Sequence, residues 1–185
     1  GKVMMTIGVT GTARHCKEAY QLAIDHCNAH GGIPDESGIG DNWAHGRFRA
    51  PYLRDPLGSE GYAADTMETA VDWSKVSKAA ENIESAIRTG LSDEGEQVHV
   101  YTHLSHVYGQ GSSIYTTYLF RLGDSYEKGM DRWIKLKQAG AEQIVAIGGT
   151  ISHQHGVGQD HKRYLKSEKG ELGIAAINNL CELFD

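Results

Sequence analysis

Residues 148–162 read GGTISHQHGVGQDHK and place His153, His155 and His161, three of the chain's ten histidines, within nine positions. Imidazole titrates near neutrality and both donates and accepts protons, so such a cluster suits acid–base work or the holding of a polar cofactor. In an extended segment His153 and His155 project to one side. Gly156 and Gly158 follow them, and glycine lets the backbone take a positive φ and press against a flat ligand. The competing reading is a solvated loop of surface histidines. A third reading joins His153 and His155 to His103 and His106 around zinc, which accepts three histidines and a water. H-x-H and H-x-x-H are weak patterns and no H-E-x-x-H is present, so no metal is expected.

Two further side chains carry chemistry. Tyr115 lies in SSIYTTYLF, residues 112–120. In a strand Tyr115 and Thr117 share one face while Thr116 and Tyr118 share the other, and period alone leaves open which tyrosine faces a site. Arg54 lies in PYLRD, within a glycine-rich stretch, where a guanidinium suits a two-pronged grip on a carboxylate or phosphate; pairing with Asp55 is the structural alternative. Neither glycine-rich stretch forms a G-x-G-x-x-G turn or a G-x-x-x-x-G-K-[ST] loop, so no pyrophosphate cradle is expected within the chain.

These groups need elements to position them. Residues 2–10 are β-branched and apolar and predict a strand. Thr12 is placed to cap a helix over residues 15–29, whose stripe holds Cys16, Ala19, Tyr20, Ala23, Ile24 and Cys27, with both thiols in the core. Residues 31–61 hold all three prolines and predict no regular element. A helix follows over residues 73–88 with Val76, Ala80, Ile83 and Ile87 on one face and Asp72 as cap. Two strands, 98–108 and 113–122, flank GQGS, a hairpin signal. A long helix over 125–147 carries Tyr126, Met130, Trp133, Lys137, Ala141 and Ile144, with Gly140 costing about 1 kcal/mol relative to alanine. A last helix spans 172–184. The order predicts an α+β domain: a small antiparallel sheet with helices packed on one face.

The 185 residues are enough for one domain with its own core, and 39% apolar with 23% charged is a globular balance. A net charge of −6 with no basic block argues against nucleic acid. No apolar run reaches the roughly 20 residues of a membrane span, and no secretory leader is visible. Three cysteines without a CxxC fit a reducing compartment.

Taken together, GGTISHQHGVGQDHKRYL, HLSHVYGQGSSIYTTYLF and RFRAPYLRDPL followed by DTMETAVDW resemble the C-terminal half of FAD-linked oxidases. The branch they resemble most is alkyldihydroxyacetone-phosphate synthase (alkylglycerone-phosphate synthase) and its bacterial relatives. The resemblance runs along the whole chain with the motifs in the same order. It implies a ferredoxin-like cap domain of the vanillyl-alcohol-oxidase type, covering the flavin and forming the substrate pocket. FAD would be bound mainly by an N-terminal FAD-binding domain that these residues do not include. In that branch an acyl chain on dihydroxyacetone phosphate is exchanged for a long-chain alcohol, and the flavin does not pass electrons onward. Tyr115 maps onto the acid–base tyrosine. His153, Gln154 and His155 map onto a run of three histidines, with glutamine in the middle place. His153, His155 and Gly156 would meet the cofactor, and Arg54 would bind the anionic substrate or orient Tyr115. A related FAD-dependent oxidase or dehydrogenase of a 2-hydroxy acid or alcohol, and a non-catalytic ferredoxin-like binding domain, are the alternatives. Implied partners are the FAD-binding domain, a lipid-like or small hydroxy-acid substrate and, in a homodimer, a second copy. The implied location is the cytoplasm, or a membrane periphery.

Overall fold

The computed structural model describes residues 4–34 and 38–184. They divide into two compact units, residues 1–53 and 54–185. The first unit holds helix α1 (Ala13–Ala29) and helix α2 (Ile39–Gly46), followed by a 3-10 segment, Arg47–Leu53. Thr12 caps α1 as expected, its hydroxyl accepting the His15 N–H at 3.4 Å. The core expected along α1 is absent: none of its residues is buried, and Cys16 and Cys27 are half-covered. Apolar side chains are present among the described residues of this unit, but Met4, Tyr20, Leu22, Trp43 and Phe48 stay exposed rather than packing over α1. Residues 4–10, expected as a strand, are irregular, while Lys2 and Val3 lie outside the described residues.

The second unit begins with a short helix, α3 (Arg54–Ser59), and with α2 it corrects the expectation that residues 31–61 hold no regular element. Strand β1 (Tyr62–Asp72) then leads into helix α4 (Val76–Thr89), strand β2 (His99–His103), strand β3 (Gly111–Arg121) and helix α5 (Tyr126–Ala146). Helix α6 (Gly158–His161) and helix α7 (Leu165–Phe184) follow, with a break in α7 at Gly170 (φ 68°). No described helix is long and apolar enough to cross a membrane.

The sheet is antiparallel in the order β1-β3-β2. β1 is the element missed in the sequence. Its alternation is carried by Met67, Thr69 and Val71 against Thr66, Glu68 and Ala70, and alanine, threonine and aspartate make a faint pattern. The hairpin between β2 and β3 is present, closed by the Tyr108 N–H on the Gly111 carbonyl at 2.9 Å. The order β-α-β-β-α is that of a ferredoxin-like unit short of its last strand. The histidine segment runs along the β1 edge that such a strand would occupy. Thr150 N–H reaches Ala70 O at 3.4 Å and His153 N–H reaches Glu68 O at 3.0 Å.

One face of the sheet carries the core. Met67, Val100, Tyr118 and Phe120 pack against Ile83 and Ile87 of α4 and Leu136, Ala141 and Ile144 of α5. Close helix–sheet packing needs Gly140: an added Cβ would fall on Met67 Sδ and Ile87 Cδ1, so overpacking outweighs the helical preference for alanine. The α5 stripe is buried at Lys137, Ala141 and Ile144, but Tyr126 is 77% exposed. Lys137 is tolerated inside because its ammonium meets Asp65 Oδ2 at 2.8 Å and Thr66 O at 2.9 Å.

Candidate functional site

The opposite face of the sheet carries the polar groups. Cross-strand register places Tyr115 of β3 between Glu68 of β1 and His103 of β2. Residues paired this way point to the same side, so Glu68, Tyr115 and His103 form one row across all three strands. The His103 and Tyr115 rings lie 5.0 Å apart, and His155 meets Tyr115 edge-on at 5.4 Å. Tyr118, left as an equal candidate by strand period, points the other way. Its hydroxyl donates to Asp65 Oδ2 at 3.0 Å. Burial, with the Asp65 carboxylate beside it, pushes that phenol far above the ordinary tyrosine range. Tyr118 is therefore a fixed donor in the core, and Tyr115 is the phenol at the open face.

The histidine segment is pinned before it reaches this row. Ile151 is buried, its N–H donates to Glu168 Oε2 at 2.8 Å, and the Thr150 hydroxyl reaches Glu168 Oε1 at 3.2 Å. Burial alone would raise the Glu168 carboxyl, but the Ile151 amide, Lys169 and Thr150 outweigh it and hold it below the usual range. Thr69 Oγ1 donates to Thr150 O at 2.7 Å and Ser152 Oγ to Gly156 O at 2.6 Å. The segment is not extended as expected: Gln154 sits at φ 65°, a left-handed conformation unusual for a side-chain-bearing residue. This turn sends the two imidazoles to different partners. His153 Nε2 is 2.9 Å from Tyr108 Oη, and His155 Nε2 is 3.2 Å from Glu68 Oε2. Gly156 follows at φ 74° with open space at its Cα.

Glu68 was not legible as a site residue. It is only 3% exposed, lies under both imidazole-bearing segments, and takes the Ser105 hydroxyl on Oε1 at 2.5 Å. His106 Nδ1 is 3.8 Å from the same oxygen. A charged residue alternating with Met67, Thr69 and Val71 was the available signal, hidden because β1 itself was missed. The four imidazoles considered for zinc do not gather as one set. Among the described residues, ligand atoms of Glu68, His106 and His153 lie within 4.8 Å of one another, while His103 stands across Tyr115.

Arg54 is elsewhere. It lines a cavity of about 680 Å³ with Asp65, Phe120, Trp133, Lys137 and Asp160, a wall that includes neither Tyr115 nor the two loop histidines. The structure thus brings together Tyr115, His153, His155 and Gly156, and not Arg54.

The family model for "FAD linked oxidases, C-terminal domain" matches residues 1–185. The chain belongs to this family. An alkyldihydroxyacetonephosphate synthase of Dictyostelium discoideum is 30% identical over 149 residues, which is 80% of this chain and 24% of that protein. The corresponding Caenorhabditis elegans synthase is 29% identical over 140 residues, 75% of this chain and 23% of that protein. An FAD-linked oxidoreductase of Escherichia coli (strain K12), YgcU, is 26% identical over 146 residues, 78% of this chain and 30% of that protein. The chain thus spans about a quarter to a third of these relatives' length. A solved alkyldihydroxyacetonephosphate synthase structure shares the fold with a TM-score of 0.60, at 20% identity, over 75% of this chain and 25% of that one.

FAD is the cofactor of this family of enzyme domains, and a C-terminal domain such as this supplies only part of its binding region. The residues present fit the ring end of that cofactor. An isoalloxazine is flat and rimmed by hydrogen-bonding nitrogens and oxygens. The open sheet face offers imidazole and phenol groups that donate or accept, beside a glycine that leaves room for close approach.

Proposed function

We propose that this chain is the substrate-binding and catalytic cap of an FAD-dependent enzyme of the alkyldihydroxyacetonephosphate synthase type. The whole protein would exchange the acyl chain of acyl-dihydroxyacetone phosphate for a long-chain alcohol, with a separate N-terminal domain holding most of the FAD. One observation carries this reading: Tyr115 stands on an open sheet face between a buried carboxylate and an imidazole, with His155 edge-on to its ring. The bound flavin would supply the electron-poor ring at which the substrate carbon is activated.

The chain's own residues then have distinct tasks. Tyr115 Oη would take the proton from the substrate carbon and return it, a transfer that needs a hydroxyl within about 3 Å of that carbon's proton. His153 and His155 would donate hydrogen bonds to cofactor or substrate oxygen where negative charge develops. Gly156 would let the backbone approach the ring. Arg54, on its own cavity wall, would hold the anionic end of the substrate.

A second reading has an observation in its favour. Gln154 stands between the histidines, and the FAD-linked oxidoreductase relative is nearly as similar as the synthases. An oxidase or dehydrogenase of a 2-hydroxy acid or alcohol would use the same phenol as a base. The full-length protein loaded with FAD, given acyl-dihydroxyacetone phosphate and fatty alcohol, is expected to form the alkyl ether without net bleaching of the flavin. Bleaching by a 2-hydroxy acid with no alkyl product would reject the synthase reading. Failure to bind FAD at all would reject both enzymatic readings in favour of a non-catalytic binding domain.

A further inference from the structure

The central row has a member whose role the proposed chemistry leaves unassigned. Glu68 is a carboxylate in the middle of a strand, 3% exposed, and a buried carboxylate must find donors. Among the described residues, the ion-pair partners in reach are His155 at 3.2 Å and His106 at 3.8 Å; no lysine or arginine pairs with it. Ser105 Oγ donates to Oε1 and lies 2.5 Å from Ser113 Oγ, which in turn accepts the His106 N–H at 2.8 Å. Oε1 is thereby committed to the β2–β3 connection. Oε2 is left for His155. The backbone carbonyl of Glu68 also takes the His153 N–H, so the same residue fixes the path of the loop and the ring that follows it.

We propose that Glu68 is the positioning residue of this site: its buried carboxylate holds His155 by Nε2 and thereby presents the other ring nitrogen beside Tyr115. This rests on the reading of Tyr115 and His155 as the working pair. The chemistry follows from the acceptor-only nature of an ionised carboxylate. His155 Nε2 lies 3.2 Å from Oε2, and an acceptor-only carboxylate at that distance favours the forms of the ring that carry hydrogen on Nε2. The His155 ring follows the left-handed turn at Gln154 and otherwise meets only the edge-on contact with Tyr115 among its aromatic neighbours. The carboxylate supplies a restraint from the strand beneath, much as a buried acid orients the histidine of a nucleophile–base–acid triad. Glu68 also sits opposite Tyr115 in the β1–β3 register, so strand pairing fixes the distance between the holder and the phenol.

The test uses FAD-loaded full-length protein and three variants: Glu68→Gln, His155→Ala and the double variant. Glutamine keeps the shape but offers both a donor and an acceptor, so it no longer enforces the Nε2–H form. The expected result is a fall in kcat of about 10–10²-fold for Glu68→Gln with KM unchanged, the usual scale for a residue that orients an active group. The double variant should be no slower than His155→Ala alone, because a residue acting through another shows no separate effect once the other is gone. Multiplying effects would overturn the proposal. Nitrogen-15 spectra of histidine-labelled protein provide a readout that does not depend on turnover. His155 should be the Nε2–H tautomer in the parent and a mixture in Glu68→Gln. An unchanged His155 signal overturns the positioning role even if the protein has no measurable activity, which separates this proposal from the functional reading. Stoichiometric divalent metal in the purified protein, lost on Glu68→Gln, His106→Ala and His153→Ala, would also overturn it, since Glu68 would then serve the metal.

Discussion

Tyr115→Phe is expected to lower turnover of the FAD-loaded full-length protein by about 10²–10⁴-fold, the range that a positioned acid or base contributes. The change removes one oxygen. The ring stays between Glu68 and His103, so strand pairing and the contact with His155 are preserved. Flavin binding and thermal stability should therefore match the parent, and KM should move little. Tyr118→Phe is the matched control. It removes the same atom three residues away, but on the core face, where the hydroxyl's partner is Asp65. That variant should lose about 1 kcal/mol of stability through the hydrogen bond and retain turnover. Steady-state kinetics with a thermal melt separates the two. Turnover unaffected by Tyr115→Phe would remove the phenol from the mechanism.

The largest expected stability effect lies at Asp65. Its Oδ2 accepts from Tyr118 Oη at 3.0 Å, Trp133 Nε1 at 2.6 Å and Lys137 Nζ at 2.8 Å. Asp65→Asn keeps the size and removes the charge, leaving the Lys137 ammonium, with only a tenth of its side chain exposed, without its counter-ion. Removing one partner of such a pair costs about 3 kcal/mol, which corresponds to a fall in melting midpoint on the order of 10 °C. The pH dependence has a definite sign. Burial by itself would raise the Asp65 carboxyl, but Lys137, with the Trp133 N–H and the Thr66 amide, outweighs it and holds the carboxyl below the usual carboxylate value. The folded state therefore binds this proton less readily than the unfolded chain. The stabilisation is fully present above the ordinary carboxylate range, near pH 4, and is lost as pH falls through the lower folded value. The gap between parent and Asp65→Asn should be constant above about pH 5 and close under acid. A gap that widened under acid would contradict the ion pair as its source.

Much of this was legible in the sequence where one period dominated. The apolar spacing of Val76, Ile83 and Ile87 placed α4, and GQGS placed the β2–β3 hairpin. The resemblance to FAD-linked oxidases singled out Tyr115 and the two histidines, and in the structure His155 packs against Tyr115 while His153 meets Tyr108. β1 was lost because Ala63, Ala64, Thr66 and Thr69 alternate too weakly against the glycine-rich stretch before them. Glu68 was lost with it, since a lone glutamate acquires meaning only when strand register sets it opposite Tyr115. The paths of His153 and His155 were misjudged because an extended backbone was assumed, whereas Gln154 turns left-handed. Arg54 was linked to the anionic substrate or to Tyr115 only through the family resemblance of its motif. Helix α3 sets it instead on a cavity beside Asp65 and Trp133, a placement fixed by tertiary packing that spacing does not encode.

The central claim is that the open face of the three-stranded sheet meets the flavin. The most direct measurement is an experimental structure of the full-length protein with FAD bound. The account predicts the isoalloxazine over the row of Glu68, Tyr115 and His103, with His153 or His155 and the Gly156 backbone within about 4 Å of the ring. A ring seated away from that row, with Tyr115 and both histidines facing solvent, would contradict it.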